Sequence, residues 1–465
     1  MKKFDIIIVG AGAAGSIAAY FGAKKGYCVC LLDGKTREKI GDKICGDGIG
    51  KQIFDTLNIP HPTKGEYLNI IEGIKIYPPD TGYTTTIKDT NKSGYIIDRL
   101  AFGQRLVNDA IKAGASLYDQ THAISLIKAK DQIIGVFIKS KTIEEQELYG
   151  NLIIDASGFN TRLRKQVDTP HIAKKIAHND YIICYREILR FKNPVALDNK
   201  YVSLYLDKIR APGGFIWYFP RNEYEVNLGI GIANKHKSKL KEYYQKYVHN
   251  PLIGDEPHTK ISSGSGLVSV CKPLWNGVGN GIIFAGDAAM QVNPMTGGGL
   301  VPSMQAGFYA IQAYEVAERL DKYDARSLWG YNILYQKSMG AEFAALDLFR
   351  LALQGLPNDI LDFIIKKRLI TGEEISKMTS FGETKLQFSS IISKMIRGIS
   401  RPKILLDLIY LMGQMKKIKS HYMNYPQSPQ NLAQWIDLTQ KIYEKIHKRF
   451  RLIADPIHLQ GKKKK

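Results

Sequence analysis

The sequence is poor in cysteine and has no long apolar run. Five cysteines in 465 residues are an odd number without zinc-type spacing, so neither a disulfide scaffold nor a metal site is expected. No apolar run reaches the roughly 18 residues of a membrane span, and the N-terminal one ends in a glycine loop rather than a cleavage site. We therefore expect a cytoplasmic protein that neither spans a membrane nor is secreted.

Low hydrophobicity and extreme charge, the marks of a disordered chain, are also missing. Hydrophobic residues make up 44% of the chain and charged residues 23%, which is typical of a globular protein of two to three domains. The net charge is +21, and residues 331–465 supply more than half of it, with 23 Lys and Arg against 11 Asp and Glu. Nucleic acid, anionic lipid or plain solubility could each account for this excess.

The first 34 residues have the pattern strand, glycine loop, helix, strand. Gly10, Gly12 and Gly15 form a G-x-G-x-x-G motif directly after the first strand, and Asp33 ends the second. Such glycines allow a tight turn and a close approach to a pyrophosphate, while the acidic residue can accept ribose hydroxyls. The pattern predicts a dinucleotide site; an ordinary glycine-rich turn is the alternative.

Four further segments are informative: "KICGDG" (43–48), "IIDASGFNTRLRK" (153–165), "APGGFIWYFP" (211–220) and "IIFAGDAAMQVNPMTGGGL" (282–300). With them, nearly the whole chain resembles the geranylgeranyl reductase family, of the flavoprotein superfamily that also holds aromatic hydroxylases and flavin halogenases. Segments of the C-terminal third resemble the longer, crenarchaeal members. The resemblance implies FAD as the cofactor.

The resemblance also implies a set of FAD-binding residues. Asp287 would accept from the ribityl hydroxyls, Arg99 would contact the cofactor, and Asp155 is interpreted as structural. The full expected cofactor set is Gly10, Gly12, Ala14, Gly15, Asp33, Cys45, Gly46, Gly48, Arg99, Ala123, Asp287, Gly298, Gly299 and Leu300.

For the substrate, the resemblance implies an aromatic wall made of Phe215, Trp217, Phe219 and Pro220, with Phe215 standing where the family has tyrosine. These side chains could line a slot for a long apolar chain, or simply pack in a core. Cys45 is the candidate catalytic residue, as a proton donor or as a small gate of the pocket.

The fold class expected is α/β: a Rossmann-like FAD-binding domain, an antiparallel-sheet substrate domain and a helical C-terminal domain. The boundaries expected are 1–175 with 258–325 for the first, 176–257 for the second and 326–465 for the third, with 66–98 contributing to the substrate domain. Within the third, "KILLDLIYLMGQMKKIK" (403–419) could be an interfacial helix on anionic lipid or a buried helix.

The function implied is an FAD-dependent reductase that hydrogenates the geranylgeranyl chains of digeranylgeranylglycerol phospholipid, using hydride from flavin N5 and a proton. An FAD-dependent monooxygenase or halogenase is the alternative. A lipid carrier or nucleic-acid binder is disfavoured by the complete motif set, and no nucleic-acid partner is expected. The sequence has no second glycine motif and no iron–sulfur cluster motif, so ferredoxin and NADPH both stay open as electron donor. Peripheral membrane contact is a further expectation.

Overall fold

The structure is a computed structural model that describes residues 3–88, 93–141, 144–195, 198–371 and 397–450. The lysines at 462–465, whose native status the sequence leaves open, lie outside the described residues. Mixed α/β architecture with a helical C-terminal region confirms the expected fold class.

The first sheet has parallel strands at its centre. β1 has the apolar sequence Phe4–Ile8, interrupted only by Asp5, and Phe4 and Ile6–Ile8 are almost fully buried, as expected for a strand covered on both faces. Its eight strands are β1 (Lys3–Val9), β2 (Val29–Leu32), β8 (Ser116–Tyr118), β9 (Thr121–Ala129), β10 (Gln132–Ser140), β11 (Gln146–Asp155), β17 (Val278–Gly279) and β18 (Ile282–Phe284). Their order is β17-β18-β11-β1-β2-β8, and β10 joins β9 to β11.

Register brings the predicted cofactor segments to one edge of this sheet. Val9 lies opposite both Leu32 and Asp155, and Asp155 lies opposite Phe284. The loops after β1, β2, β11 and β18 therefore leave the sheet side by side, which is where open α/β sheets bind ligands.

The second sheet has seven strands, in the order β16-β12-β15-β14-β13-β5-β6. They are β5 (Gly73–Tyr77), β6 (Thr85–Lys88), β12 (Tyr181–Phe191), β13 (Tyr201–Tyr205), β14 (Ile216–Pro220), β15 (Glu225–Ala233) and β16 (His258–Ser269). The sheet is antiparallel except at one point, where β13 pairs with β5 in parallel. A small third sheet is formed by β3 (Gly48–Gly50), β7 (Gly94–Ile97) and β4 (Tyr67–Ile71).

The domain boundaries stay a prediction, but strand pairing bears on two of them. The predicted contribution of 66–98 corresponds to β5 and β6, which extend the seven-stranded sheet, and to β4 and β7, which form the small sheet. The segment from 258, assigned above to the cofactor domain, begins with β16, which pairs with β12 in the seven-stranded sheet.

Helices cover the first sheet and form the C-terminal region. They are α1 (Ala13–Lys24), α2 (Gln52–Leu57), α3 (Arg99–Lys112), α4 (Leu240–Tyr244), α5 (Asn250–Leu252), α6 (Leu300–Arg319), α7 (Gly330–Tyr335), α8 (Ala341–Gly355), α9 (Asn358–Lys366), α10 (Pro402–Met423) and α11 (Leu432–Arg449). α1 packs against α3 and α6, and α8 packs against α10 and α11. Among the helices of the described ranges, none is long and apolar enough to cross a membrane.

Helix α10 carries the segment for which two interpretations were open. Leu408, Leu411 and Met415 are buried in the core that α10 shares with α8, and Ile404 packs against the same core. Leu405 is buried as well. These apolar residues therefore hold the helix to the protein. The structure supports the buried-helix interpretation for this face of α10.

Candidate active site

The three glycines of the loop after β1 differ in whether the surrounding structure leaves room for a side chain. Gly10 has φ of +101°, and a Cβ there would lie 2.5 Å from the Ala156 carbonyl oxygen. A Cβ on Gly15 would collide with the Gly10 carbonyl, so both positions exclude a side chain for internal reasons. A Cβ on Gly12 would meet nothing within 4 Å. The open side of the loop is therefore at Gly12, where α1 begins without a side-chain cap.

Asp33 fastens the glycine loop to the end of β2. Its carboxylate accepts hydrogen bonds from the backbone N–H groups of Ala11 and Lys35, both at 2.9 Å. A carboxylate has about four acceptor positions, so Asp33 can still accept from a ribose hydroxyl. Ala123 is the third residue of β9. The first residue of that strand, Thr121, donates its N–H to the Asp33 carbonyl, so the start of β9 lies next to Asp33.

The start of α3 presents Arg99. Asp98 caps this helix by accepting from the Ala101 N–H at 2.9 Å. The Arg99 Nε atom is buried and has no hydrogen-bond partner in the part of the chain that the structure describes. A buried guanidinium nitrogen without a partner fits an anionic or aromatic ligand that supplies one.

Asp287 lies in the single turn Gly286–Ala289 that follows β18. Its Oδ2 pairs with Lys43 Nζ at 2.7 Å, and its Oδ1 lies 3.3 Å from where a Cβ on Gly299 would be. Gly299 precedes α6, which begins at Leu300 without a side-chain cap. Asp287 and the Gly298–Gly299 loop are thus neighbours, as the resemblance implies.

Asp155 has the structural role assigned to it. Its buried carboxylate accepts from the Ser157 N–H at 3.0 Å and from the hydroxyls of Ser157 and Thr161. Burial raises the pKa of Asp155, and these hydrogen bonds oppose the rise. Arg162, from the same motif, is exposed. Asp155 therefore closes its own loop.

These residues fit FAD as a group. Within the described ranges, Gly12 borders open space, α1 and α6 start without a side-chain cap, and Arg99 Nε has no hydrogen-bond partner. Backbone N–H groups at a helix start favour negative charge, so α1 suits a pyrophosphate and α6 an electron-rich ring.

The Cys45 loop, residues 43–48, lies between the cofactor residues and the seven-stranded sheet. Lys43 reaches Asp287 on one side. On the other, a Cβ on Gly46 would lie 2.9 Å from the Phe219 ring, and Ile44 fills the space above Gly264 of β16. Cys45 itself is half-buried, between these two anchors.

The aromatic strand β14 turns one face towards this loop. Because side chains alternate along a strand, Trp217 and Phe219 share a face, while Pro220 occupies a position of the opposite face. Phe215 directly precedes the strand and packs in the same cluster as Trp217. The Trp217 indole lies over Gly229, where a Cβ would be 2.1 Å from the ring. Trp217 is only 7% exposed, so most of its surface is packed against other residues of the protein.

A buried polar group that the sequence motifs do not predict includes Asp47 of this loop. Asp47 has φ of +68° and is 1% exposed, and its Oδ2 accepts from Arg221 Nη1 at 3.1 Å and from Asn227 Nδ2 at 2.8 Å. Burial raises the pKa of Asp47, and the charges of Arg221 and Arg186, which is also buried, oppose this rise. The available signals were an aspartate inside "KICGDG" and an asparagine in the apolar strand "EVNLGIGIA".

Two comparisons with known sequences identify relatives. The pattern of the geranylgeranyl reductase catalytic domain matches residues 180–268, from the turn before β12 to the end of β16. The digeranylgeranylglycerophospholipid reductase of Sulfolobus acidocaldarius is 34% identical over 437 residues, covering 93% of this chain and 96% of that protein. The enzyme of the same name from Thermoplasma volcanium is 30% identical over 343 residues, covering 72% and 83%.

Solved structures agree with these relatives. A geranylgeranyl bacteriochlorophyll reductase-like protein from Thermoplasma acidophilum superposes with a TM-score of 0.74 at 25% identity, covering 88% of this chain and all of that one. A flavin-dependent brominase superposes with a TM-score of 0.65 at 16% identity, covering 88% and 100%. The brominase shares the fold, and the first structure is the more similar of the two in sequence.

Proposed function

The chain belongs to the family of digeranylgeranylglycerophospholipid reductases, and we propose that its Cys45 loop and aromatic strand β14 form two sides of a slot for the prenyl chain. The protein is an FAD-dependent oxidoreductase that reduces C=C bonds of geranylgeranyl chains in archaeal lipids. The halogenase alternative rests on shared fold alone.

One observation carries the proposed slot: three separate segments meet at a single apolar cluster. This cluster contains Trp217 with Phe215 and Phe219 of the aromatic strand, and Val268 of β16. Gly297, the first glycine of the loop 297–299, lies against Val268, with 3.6 Å between the Val268 methyl and a Cβ placed on the glycine. The Cys45 loop covers Phe219. The proposed cofactor side and substrate side therefore share these contacts.

Bound in this cradle, FAD supplies hydride from N5 when it is reduced. The chain has to exclude water and hold an isolated alkene, a poor electrophile, in a reactive position. Phe215, Trp217 and Phe219 provide apolar contact area without a charge. We assign the proton to the Cys45 thiol, which lies on the loop facing this wall.

The activity is tested by anaerobic incubation of the dithionite-reduced enzyme with digeranylgeranylglycerol phospholipid, followed by mass spectrometry. We expect a mass gain of one H2 for each reduced bond. An unchanged lipid with fully reduced enzyme would reject the function. Cys45→Ser and Cys45→Ala then test the proton donor, because serine keeps a donor hydroxyl and alanine does not.

The electrons come from an external reductant in this proposal, as the sequence carries no second cofactor motif. Anaerobic titration with NADPH and, in parallel, with a reduced ferredoxin separates the two donor classes. The donor is the one that bleaches the flavin absorbance at a rate at least equal to lipid turnover.

Peripheral membrane contact is also part of the proposal, through the face of α10 that points away from the core. Leu406 is 59% exposed and Ile409 41% exposed, and Lys403, Lys416 and Lys417 are exposed on the same helix. An apolar patch flanked by lysines is suited to an anionic lipid surface.

A further inference from the structure

A single buried amide joins the Cys45 loop to the aromatic strand. Asn227 lies in the middle of β15, opposite Phe219 of β14, and its side chain is fully buried. Its Nδ2 donates to the Cys45 carbonyl oxygen at 2.7 Å and to Asp47 Oδ2 at 2.8 Å. Its Oδ1 accepts from the Trp217 indole Nε1 at 3.0 Å. Both amide hydrogens and one oxygen lone pair are therefore used.

An apolar side chain would be the ordinary choice at this place. Asn227 is fully buried, and on the same face of β15 the Trp217 indole packs over Gly229. A buried amide costs free energy unless its hydrogen bonds are made. All three hydrogen-bond partners of Asn227 belong to segments assigned to the site. These directional bonds fix the position of the Cys45 loop relative to β14, whereas the apolar contacts of a leucine would not.

Asp47 makes the arrangement rigid on the loop side. Its left-handed backbone is held by the N–H of Ile97, which donates to the Asp47 carbonyl at 2.9 Å. Its carboxylate is held by Arg221, which also pairs with Glu225 of β15 at 3.4 Å. Backbone strain of this kind persists where the surroundings over-determine it.

We propose that Asn227 is a positioning residue: it sets the spacing between the Cys45 backbone and the Trp217 indole, and so aligns the alkene in the slot. The inference rests on the proposed function in placing the prenyl chain between these two residues. Asn227 itself touches neither substrate nor cofactor in this scheme. It acts through its two neighbours.

Two substitutions break the amide contacts from opposite ends. Asn227→Asp keeps the acceptor for Trp217 but replaces both donated bonds by a carboxylate against Asp47 and the Cys45 carbonyl. Trp217→Phe keeps an aromatic wall, removes the indole N–H and leaves the Asn227 backbone untouched. In each we expect kcat to fall about tenfold or more, since small misplacements are costly, while KM changes by less than about threefold. FAD content stays at the wild-type level.

A matched control separates positioning from general loss of a buried hydrogen-bonding residue. Asn276 is 2% exposed and makes three comparable bonds: to the Pro170 carbonyl at 3.1 Å, from the Val278 N–H at 2.9 Å and from Asn332 Nδ2 at 2.8 Å. Asn276→Ala is expected to lower the unfolding temperature at least as much as Asn227→Asp. It should leave kcat within about twofold, as ordinary for a substitution outside the site.

A double-mutant cycle in kcat distinguishes a positioning role of Asn227 from a merely structural one. Asp47 and Trp217 each bond to Asn227, so Asp47→Asn and Trp217→Phe should be non-additive in kcat by about threefold or more in the wild-type background. In an Asn227→Ala background the same two changes should become additive. Additivity in both backgrounds, or a kcat loss no greater than that of Asn276→Ala, overturns the positioning role. If the wild-type enzyme does not reduce the lipid, the proposed function fails and the inference fails with it.

Discussion

At the scale of single residues, the glycine loop separates internal packing from ligand approach. Gly10 and Gly15 exclude a methyl group because protein backbone occupies the space, whereas Gly12 faces open space. Gly12 also has an ordinary backbone, with φ of −75°, that alanine can adopt. The fold of the apoprotein therefore does not require glycine at this position. A bound pyrophosphate requires it, because only glycine lets the phosphates approach the backbone closely.

We predict that Gly12→Ala keeps the apoprotein stable and weakens FAD binding. Alanine restricts the unfolded chain, so unfolding of the apoprotein should be unchanged or harder by up to about 1 kcal/mol. The added methyl should cost FAD binding about 1–3 kcal/mol by crowding the phosphates. Titration of apoprotein with FAD measures this. Gly330→Ala is the control, because a Cβ there also meets nothing within 4 Å.

We also predict that Asp287→Ala weakens FAD binding. A hydrogen bond from a ribityl hydroxyl to a carboxylate is worth about 1.5–3 kcal/mol, or roughly 10- to 150-fold in the dissociation constant. Asp198→Ala is the matched control, since Asp198 also pairs with a lysine, Lys75, but on the far sheet. Equal FAD affinity in the two variants would reject the assignment of Asp287.

The sequence predicts those site residues whose motif defines a local backbone shape. It does not predict those whose role depends on contacts between distant parts of the chain. The Gly10 and Gly15 motif is local, and the structure has the tight turn that it predicts. Asn227 is bonded to Cys45, 182 positions away in the chain. No local pattern encodes such a contact, although a buried asparagine in an apolar strand was a usable signal.

At the scale of elements, the start of α3 links stability to the cofactor site. Asp98 caps the helix, and its Oδ2 lies 3.6 Å from Arg221 Nη2. The first helical residue, Arg99, has a buried Nε with no hydrogen-bond partner among the described residues. An altered helix start would therefore move Arg99. Replacing Asp98 by an uncharged residue would also remove one negative charge next to the Asp47–Arg221 pair.

We predict that Asp98→Ala destabilises the protein by about 0.5–2 kcal/mol, the usual cost of losing an N-cap, and weakens FAD binding through Arg99. Asp98→Asn keeps a capping oxygen without the charge and should recover most of the stability. Chemical denaturation and FAD titration of both variants measure the two effects. If Asp98→Ala lowers stability with FAD affinity unchanged, Arg99 does not contact the cofactor.

Element type was predictable and element pairing less so. The opening β1–α1–β2 unit follows from its strand, glycine-loop and helix pattern, and it is confirmed. The parallel pairing of β13 with β5 joins strands 128 residues apart in register, Tyr201 opposite Gly73. The period of α10 is the same whether its apolar face meets lipid or protein, so only packing could decide between them.

At the scale of the whole molecule, the C-terminal helices are part of the core. Tyr425 donates its hydroxyl to the Trp275 carbonyl at 2.7 Å, and the Trp329 indole donates to the Pro426 carbonyl at 2.8 Å. Tyr443 of α11 bonds to the buried Asp347 of α8. Helices α10 and α11 are therefore held to the core, and the outer face of α10 keeps a fixed orientation relative to the site.

This fixed orientation allows a membrane prediction to be made for one face. We expect the protein to sediment with anionic vesicles at low ionic strength and to be released by salt, since each lysine near such a surface contributes on the order of 1 kcal/mol over a short screening length. Changing Lys403, Lys416 and Lys417 together to glutamine should weaken binding by up to roughly 3 kcal/mol, about 150-fold.

The apolar part of the same face has its own variant. Leu406→Gln with Ile409→Gln removes two exposed side chains that would enter the lipid boundary, and it should weaken binding even where salt has screened the charges. Val316→Gln is the control: Val316 is 41% exposed on α6 beside Glu315, where an anionic surface gains nothing. If both apolar variants bind vesicles alike, or if the wild type ignores anionic vesicles at low salt, α10 is not the docking face and the prenyl chain enters the slot from another side.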